Sequence, residues 1–203
     1  MIRRTLRGAE ALGESLGKVR TDPARAAWLA LAGAACAGPV ARLAEPAARL
    51  LAAPWNPAAA VASFEQQRVP RHPSPVGIGA VVLSQATYGA RLRAMGARPS
   101  WPVALACAAV TAGGVLHTRA TPLAPAAVLG GAALTATTAL ANDPALRRGV
   151  PGLEGISHGA NITFVAEGLR VLANSSSGGP LLRALTSATA SVGQLLLADG
   201  LRR

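Results

Sequence analysis

Charge is scarce in this chain. Only 14 % of its 203 residues are Asp, Glu, Lys or Arg, against roughly 25 % in an ordinary soluble domain. Aromatic residues are scarcer still at 3 %, so Trp28, Trp55, Trp101 and Tyr88 are the whole supply of interface-anchoring rings. There are two cysteines, Cys36 and Cys107, each inside an apolar run. They read as small buried hydrophobes, which excludes a disulfide framework. His117 and His158 sit near expected helix ends, where solvation or capping is their ordinary role, and no ligand spacing marks a metal site. Neither metal nor cofactor is expected. Lys18 is the only lysine, so the net charge of +11 is carried by arginine. Those arginines fall between apolar runs instead of clustering on one face, which excludes nucleic acid as a partner. After Met1-Ile2-Arg3-Arg4 come Glu10, Glu14 and Lys18 where a signal peptide needs its apolar core, so no cleaved export signal is expected. No Ser-His-Asp set and no phosphate-cradling loop is present. Gly113-Gly114 and Gly130-Gly131 lie in apolar runs and imply close helix approach.

What remains is apolar. Half the chain, 51 %, is hydrophobic, and the mean hydropathy is +0.35. This favours lipid as the medium, although much of the apolar content is alanine. An Ala-, Arg-, Gly- and Pro-rich composition points to a GC-rich bacterial genome and hence to a bacterial plasma membrane. Residues 1–20 place Ile2, Leu6, Ala9, Leu12, Leu16 and Val19 at helical spacing, an amphipathic or degenerate first helix. Asp22-Pro23 is a helix start, and Ala26–Ala41 is an uncharged run short for a span. Residues 43–64 hold Glu45, Arg49 and the Pro54-Trp55-Asn56-Pro57 break, and Glu65–Pro75 reads as a loop. Val76–Ala90, Pro99–Thr118 and Ala120–Asn142 are uncharged, Asp143–Gly155 is a polar turn, and two helix-length segments follow around the polar break Asn174–Pro180. The expected fold is a single all-α domain over 1–203, a polytopic transmembrane bundle of about seven or eight helices with the first ones degenerate.

Arg91, Arg93 and Arg98 share one loop, Arg119 stands alone in the next, Arg147 and Arg148 follow, Asn174–Pro180 has no basic residue, and Arg202-Arg203 end the chain. Alternation of basic and nearly neutral loops places the 91–98 loop and the C-terminus in the cytoplasm. Lys18, Arg20, Arg25, Arg68 and Arg71 would then fall outside, against the rule.

One acid, Glu167, lies inside the first of the last two helical segments. An acid at membrane depth is a functional-site hypothesis by default, and the competing reading is an ordinary pair with Arg170 one turn on. Gln194 is either a site residue or a hydrogen-bonding glue between helices, and Tyr88 either a site residue or an interface anchor.

Gly159-Ala160 followed by Ala166-Glu167 and Leu169 resembles the Gly-Ala…Ser-Asp helix of the YhhN-like lysoplasmalogenase family. Thr189-Ala190-Ser191-Val192-Gly193-Gln194-Leu195-Leu196 resembles that family's last helix. Gly77-Ile78-Gly79-Ala80 through Gln85 to Tyr88 resembles its Gly-His-x-x-Tyr helix, with Gln85 in the place of the His. Ala9–Gly13, Thr21-Asp22-Pro23 and Trp28–Leu31 resemble its first loop and second helix. The motifs run in order along nearly the whole chain. Two departures stand out: the family's Ser-Asp is Ala166-Glu167, and its Gly-Asp falls at Trp55-Asn56-Pro57, where there is no acid.

The resemblance implies a lipid-accessible cavity within about eight membrane helices and hydrolysis of the vinyl-ether bond of a lysophospholipid. That reaction needs a carboxylic acid still protonated near neutral pH to protonate the alkene, and a second group to orient water. Burial in a low-dielectric cavity favours the protonated form of any carboxyl. On this reading Glu167 is the catalytic acid, Asn56 stands in the second role, and Gln194, Tyr88 and Gln85 line the substrate site. The partners are a lysophospholipid substrate and the bilayer. The alternatives are a non-catalytic relative binding lipid or a protein partner, and a soluble Ala-rich helical protein with a basic surface.

Overall fold

The computed structural model describes residues 2–23, 25–27, 29–30, 56–68, 72–146, 151–175 and 179–201. Cys36, Trp55 and most of the Ala26–Ala41 run lie outside them. The described residues are all helical or connecting, with no strand. Seven α-helices are bounded: α1 Ile2–Gly17, α2 Pro57–Arg68, α3 Pro75–Ala94, α4 Trp101–Thr118, α5 Ala124–Ala141, α6 Pro151–Ser175 and α7 Pro180–Leu201, with 3-10 turns at Lys18–Arg20 and Pro144–Leu146.

Two boundaries differ from the sequence reading. Glu65 to Arg68 belongs to α2 instead of a loop, because the helix started at Pro57 meets no breaker until the prolines beyond it. Residues 151–155 begin α6 instead of ending a turn, since Pro151 suits a first helical turn, with Glu154 there as well. Ser74 caps α3 with its Oγ, which accepts from Gly77 N at 3.0 Å and donates to Glu65 Oε2 at 2.6 Å. That one hydroxyl joins the end of α2 to the start of α3.

Three helices are long and apolar enough to cross a membrane: α4, α5 and Leu181–Leu201 of α7, with mean hydropathies of 1.3, 1.4 and 1.3. α3 and α6 are as long but more polar, and their polar groups turn inward: Ser84, Gln85 and Thr163 are buried. α4 is the reverse case. Only 11 % of it is buried, and Trp101, Leu105, Val110 and Leu116 are all exposed. So continuous an exposed apolar face marks a surface that meets lipid or another apolar partner.

The closest packing joins α6 to α7. A Cβ on Gly159 would stand 2.5 Å from Leu197 N and 2.7 Å from Gly193 O, and one on Gly193 2.8 Å from Thr163 N. Glycine is therefore required at both, the small-residue approach used where helices associate without a hydrophobic drive. Tyr88, Leu92, Leu140, Ile156, Ala160, Leu197 and Leu201 form the apolar core at one end of the bundle.

α1 clasps that same end. Arg7 pairs with the buried Glu154, Ser15 bonds Asp199, and Arg25 reaches Asp199 Oδ1 with its Nη2 at 2.9 Å. His158 is half-buried and packed over Gly8, with Nδ1 2.9 Å from Glu154 O, so it is neither solvated nor a cap. Arg91 Nη1 donates to Leu201 O at 3.1 Å. Lys18, Arg20 and Arg25 thus share an end with Arg91, Arg93 and Arg98. The sequence reading had put them on opposite sides from the alternation of loop charge alone, whereas Arg25 meets Asp199 and Arg91 meets Leu201 on the same helix.

Gly159→Ala is expected to lower stability by about 1–3 kcal/mol through overpacking, measured by thermal unfolding in detergent. Gly13→Ala, whose Cβ meets nothing within 4 Å, is expected to raise it by about 0.5–1 kcal/mol.

Candidate functional site

The end of the bundle away from α1 is open. A cavity of about 460 Å³ lies between the C-terminal halves of α4 and α6 and the first turns of α3 and α5, within the ~300–1,000 Å³ usual for small-molecule sites. Its walls are mostly apolar, from Ile78, Val81, Val110, Leu134, Phe164 and Val171. Polar groups collect at the open end: Glu65, Ser74, His117 and Asn174. His117 Nε2 lies 2.9 Å from Ser175 Oγ, tying α4 to α6 there.

The glycines of this wall divide into two kinds. Gly131 meets Thr111, and Gly77 is held against Glu65 Cβ, so both serve helix packing, as the sequence suggested for Gly130-Gly131. Gly113 and Gly114 do not: a Cβ on either meets nothing within 4 Å. They face the cavity, as does Gly168 on the opposite wall. A mid-helix glycine costs about 1 kcal/mol relative to alanine, and here no packing offsets that cost.

Beneath the cavity is a much smaller chamber, about 10 Å³, lined by Ala59, Ala62, Val81, Ser84, Gln85, Leu134, Glu167 and Gln194. Glu167 borders both spaces. It is half-buried, and its Oε2 lies 3.3 Å from Arg170 Nε, the one-turn pairing the sequence allowed for. Gln85 and Gln194 line the chamber with it. Tyr88 is fully buried and donates its hydroxyl to Gln194 Oε1 at 2.5 Å, so it is an internal strut and not an interface anchor. Asn56 precedes α2, is buried, and donates Nδ2 to Ser84 O at 3.1 Å and to Ser84 Oγ at 3.3 Å. Its Oδ1 finds no hydrogen-bond partner.

All five residues singled out from the sequence therefore gather around one place. Glu167, Gln85 and Gln194 share the chamber, Tyr88 holds Gln194, and Asn56 stands behind Ser84. Sequence reasoning missed Ser84 itself, although a Ser-Gln pair in the middle of an otherwise apolar run was a visible signal. It also missed Thr163, one turn before Glu167 on α6, whose buried Oγ1 has no hydrogen-bond partner and which faces Gly193. Among the described residues no three His, Cys, Asp or Glu side chains converge as metal ligands.

Chemically, the arrangement offers an apolar slot, a carboxyl group at its inner boundary, and carboxamides and a hydroxyl beyond it. Comparison of the chain with family models, characterised proteins and solved structures finds no match.

Gly114→Leu is expected to fill the slot without disturbing the fold. In native mass spectrometry or a fluorescent-lipid displacement assay, binding of a single-chain lipid should fall at least about tenfold, while the thermal midpoint stays level or rises. A parallel loss of both would mean that Gly114 serves the fold instead.

Proposed function

We propose that this chain is a multi-pass protein of a bacterial plasma membrane, a single bundle of seven or eight helices, that takes a single-chain lipid into the cavity and hydrolyses a lysoplasmalogen-type vinyl ether with Glu167 as general acid. The observation that carries the reading is the place of Glu167 on the wall common to an apolar slot and a polar chamber. In such a lipid the reactive carbons lie at the junction of hydrocarbon and polar head. Glu167 lines the apolar slot, and Glu65, Ser74, His117 and Asn174 offer polar groups toward its open end.

The chemistry asks for one proton moved in each direction. Glu167 gives its proton to the alkene carbon remote from the ether oxygen. A C–H bond forms, the C=C π pair is consumed, and positive charge is shared between the adjacent carbon and the ether oxygen. Water adds to that carbon and returns a proton to Glu167. The resulting hemiacetal breaks its C–O bond to the glycerol, the hydroxyl proton passing to the departing oxygen, to leave a fatty aldehyde and the glycerophospho head group. Enclosure helps because a dry site strengthens each of these charge interactions.

A membrane setting is supported by α4, whose apolar face has little cover among the described residues. Orientation follows from charge. Arg7, Lys18, Arg20, Arg25, Arg91, Arg93 and Arg98 mark one end, against Arg68, Arg119 and Arg183 at the other. The positive-inside rule makes the first end, with the C-terminus, cytoplasmic, so the cavity opens toward the opposite leaflet.

A second reading keeps the lipid and drops the reaction. It is favoured by the Glu167–Arg170 pair, which gives the carboxylate a structural partner, and by Asn56, which supplies no second acid.

Purified protein in detergent is expected to turn over a lysoplasmalogen, and Glu167→Gln to lower kcat by about 10²- to 10⁴-fold with lipid binding retained. Binding without wild-type turnover would select the second reading. For orientation, single cysteines at His72 and Met95 in a background lacking Cys36 and Cys107 are expected to differ toward a membrane-impermeant maleimide on intact cells. The His72→Cys protein should label and the Met95→Cys protein should not; the reverse pattern would invert the topology.

A further inference from the structure

The geometry points to a single-water site in the small chamber, and, on the hydrolase reading just given, to that water as the attacking nucleophile. A buried water needs roughly 10–15 Å³ of room for its centre and two to four polar partners. The chamber offers about 10 Å³, which is one water and no more. Four polar side chains line it: Ser84, Gln85, Gln194 and Glu167. The first two and Gln194 are all more than nine-tenths buried.

Each has hydrogen-bonding capacity to spare. Gln85 accepts from Thr137 through its backbone carbonyl at 3.1 Å, and its side-chain amide enters no hydrogen bond among the described residues. Gln194 accepts from Tyr88 with Oε1, leaving its Nε2 protons to donate. Ser84 Oγ accepts from Asn56, leaving its own proton. A carboxamide with little access to solvent gains from a hydrogen-bond partner, and a water in the chamber supplies one.

The consequence for the reaction concerns the missing acid. A water held by Gln85, Gln194 and Ser84 lies beside the same carboxylate that has just given up its proton. Glu167 can then act as acid in the first step and as base in the second, and no second carboxylate is required at position 56. The role of Asn56 becomes indirect: it fixes Ser84. Gln85 and Gln194 are positioning residues for the nucleophile, on the far side of Glu167 from the hydrocarbon slot, so the water reaches the cation without crossing the apolar wall.

The test uses the full-length protein and two readouts. In an experimental structure at a resolution that shows waters, one density peak is expected within hydrogen-bond distance of Gln85, Gln194 and Ser84; an empty or collapsed chamber would overturn the site. Gln85→Met, similar in length and without polar atoms, is expected to lower kcat on lysoplasmalogen by about 10- to 100-fold. KM, lysolipid binding and thermal midpoint should be unchanged, since Gln85 borders the chamber and not the slot. If the peak is present and kcat does not move, the water is structural and the nucleophile assignment fails. If the wild-type protein turns over no vinyl ether, the hydrolase reading fails and takes the nucleophile with it, while the density still decides whether the water site exists.

Discussion

Everything near the site depends on how closely α6 and α7 approach. Gly159 and Gly193 bring backbone against backbone, and that contact places Gln194 on the same small space as Glu167. In a lipid medium there is no hydrophobic force between helices to do this. Dispersion at short range and a few internal hydrogen bonds must suffice. One extra methyl at either glycine would lever the two helices apart along the whole stretch that carries both polar residues, so the spacing of the chemistry is set by atoms that take no part in it.

Around that axis the bundle separates two functions by position. The α1 end is filled, with its apolar core, a clasp of ion pairs and most of the arginine. The opposite end holds the cavity. Five polar side chains meet there: Asn56, Ser84, Gln85, Gln194 and Glu167 come from three helices and the residue leading into a fourth, and all but Asn56 line one small space. Buried polar groups are expensive unless they are hydrogen-bonded, and those at the α1 end, Ser15, Glu154 and Asp199, are spent on the clasp.

Much of this was legible in the sequence, for physical reasons. Uncharged runs located α3, α4 and α5 to within four residues, and polar residues inside apolar runs named the candidate site residues. What could not be read were the relations between helices. Nothing in the local pattern says that Gly113 and Gly114 face open space while Gly131 meets Thr111, because all three sit in similar surroundings along the chain. The side on which Lys18, Arg20 and Arg25 lie was also hidden, since it depends on Ser15 and Arg25 meeting Asp199 at the far end of the sequence. Tyr88 shows the same limit: a ring with a polar tip suits an interface or an interior equally, and only its bond to Gln194 decides.

The bond between Ser15 and Asp199 joins positions 184 residues apart, and Arg25 shares the same carboxylate. The opening helix of the chain therefore has no finished binding surface until the last one is made. On a ribosome it must wait until α7 has emerged. Such a non-local closure is entropically slow to form, and it makes completion of the α1 clasp a late event in folding.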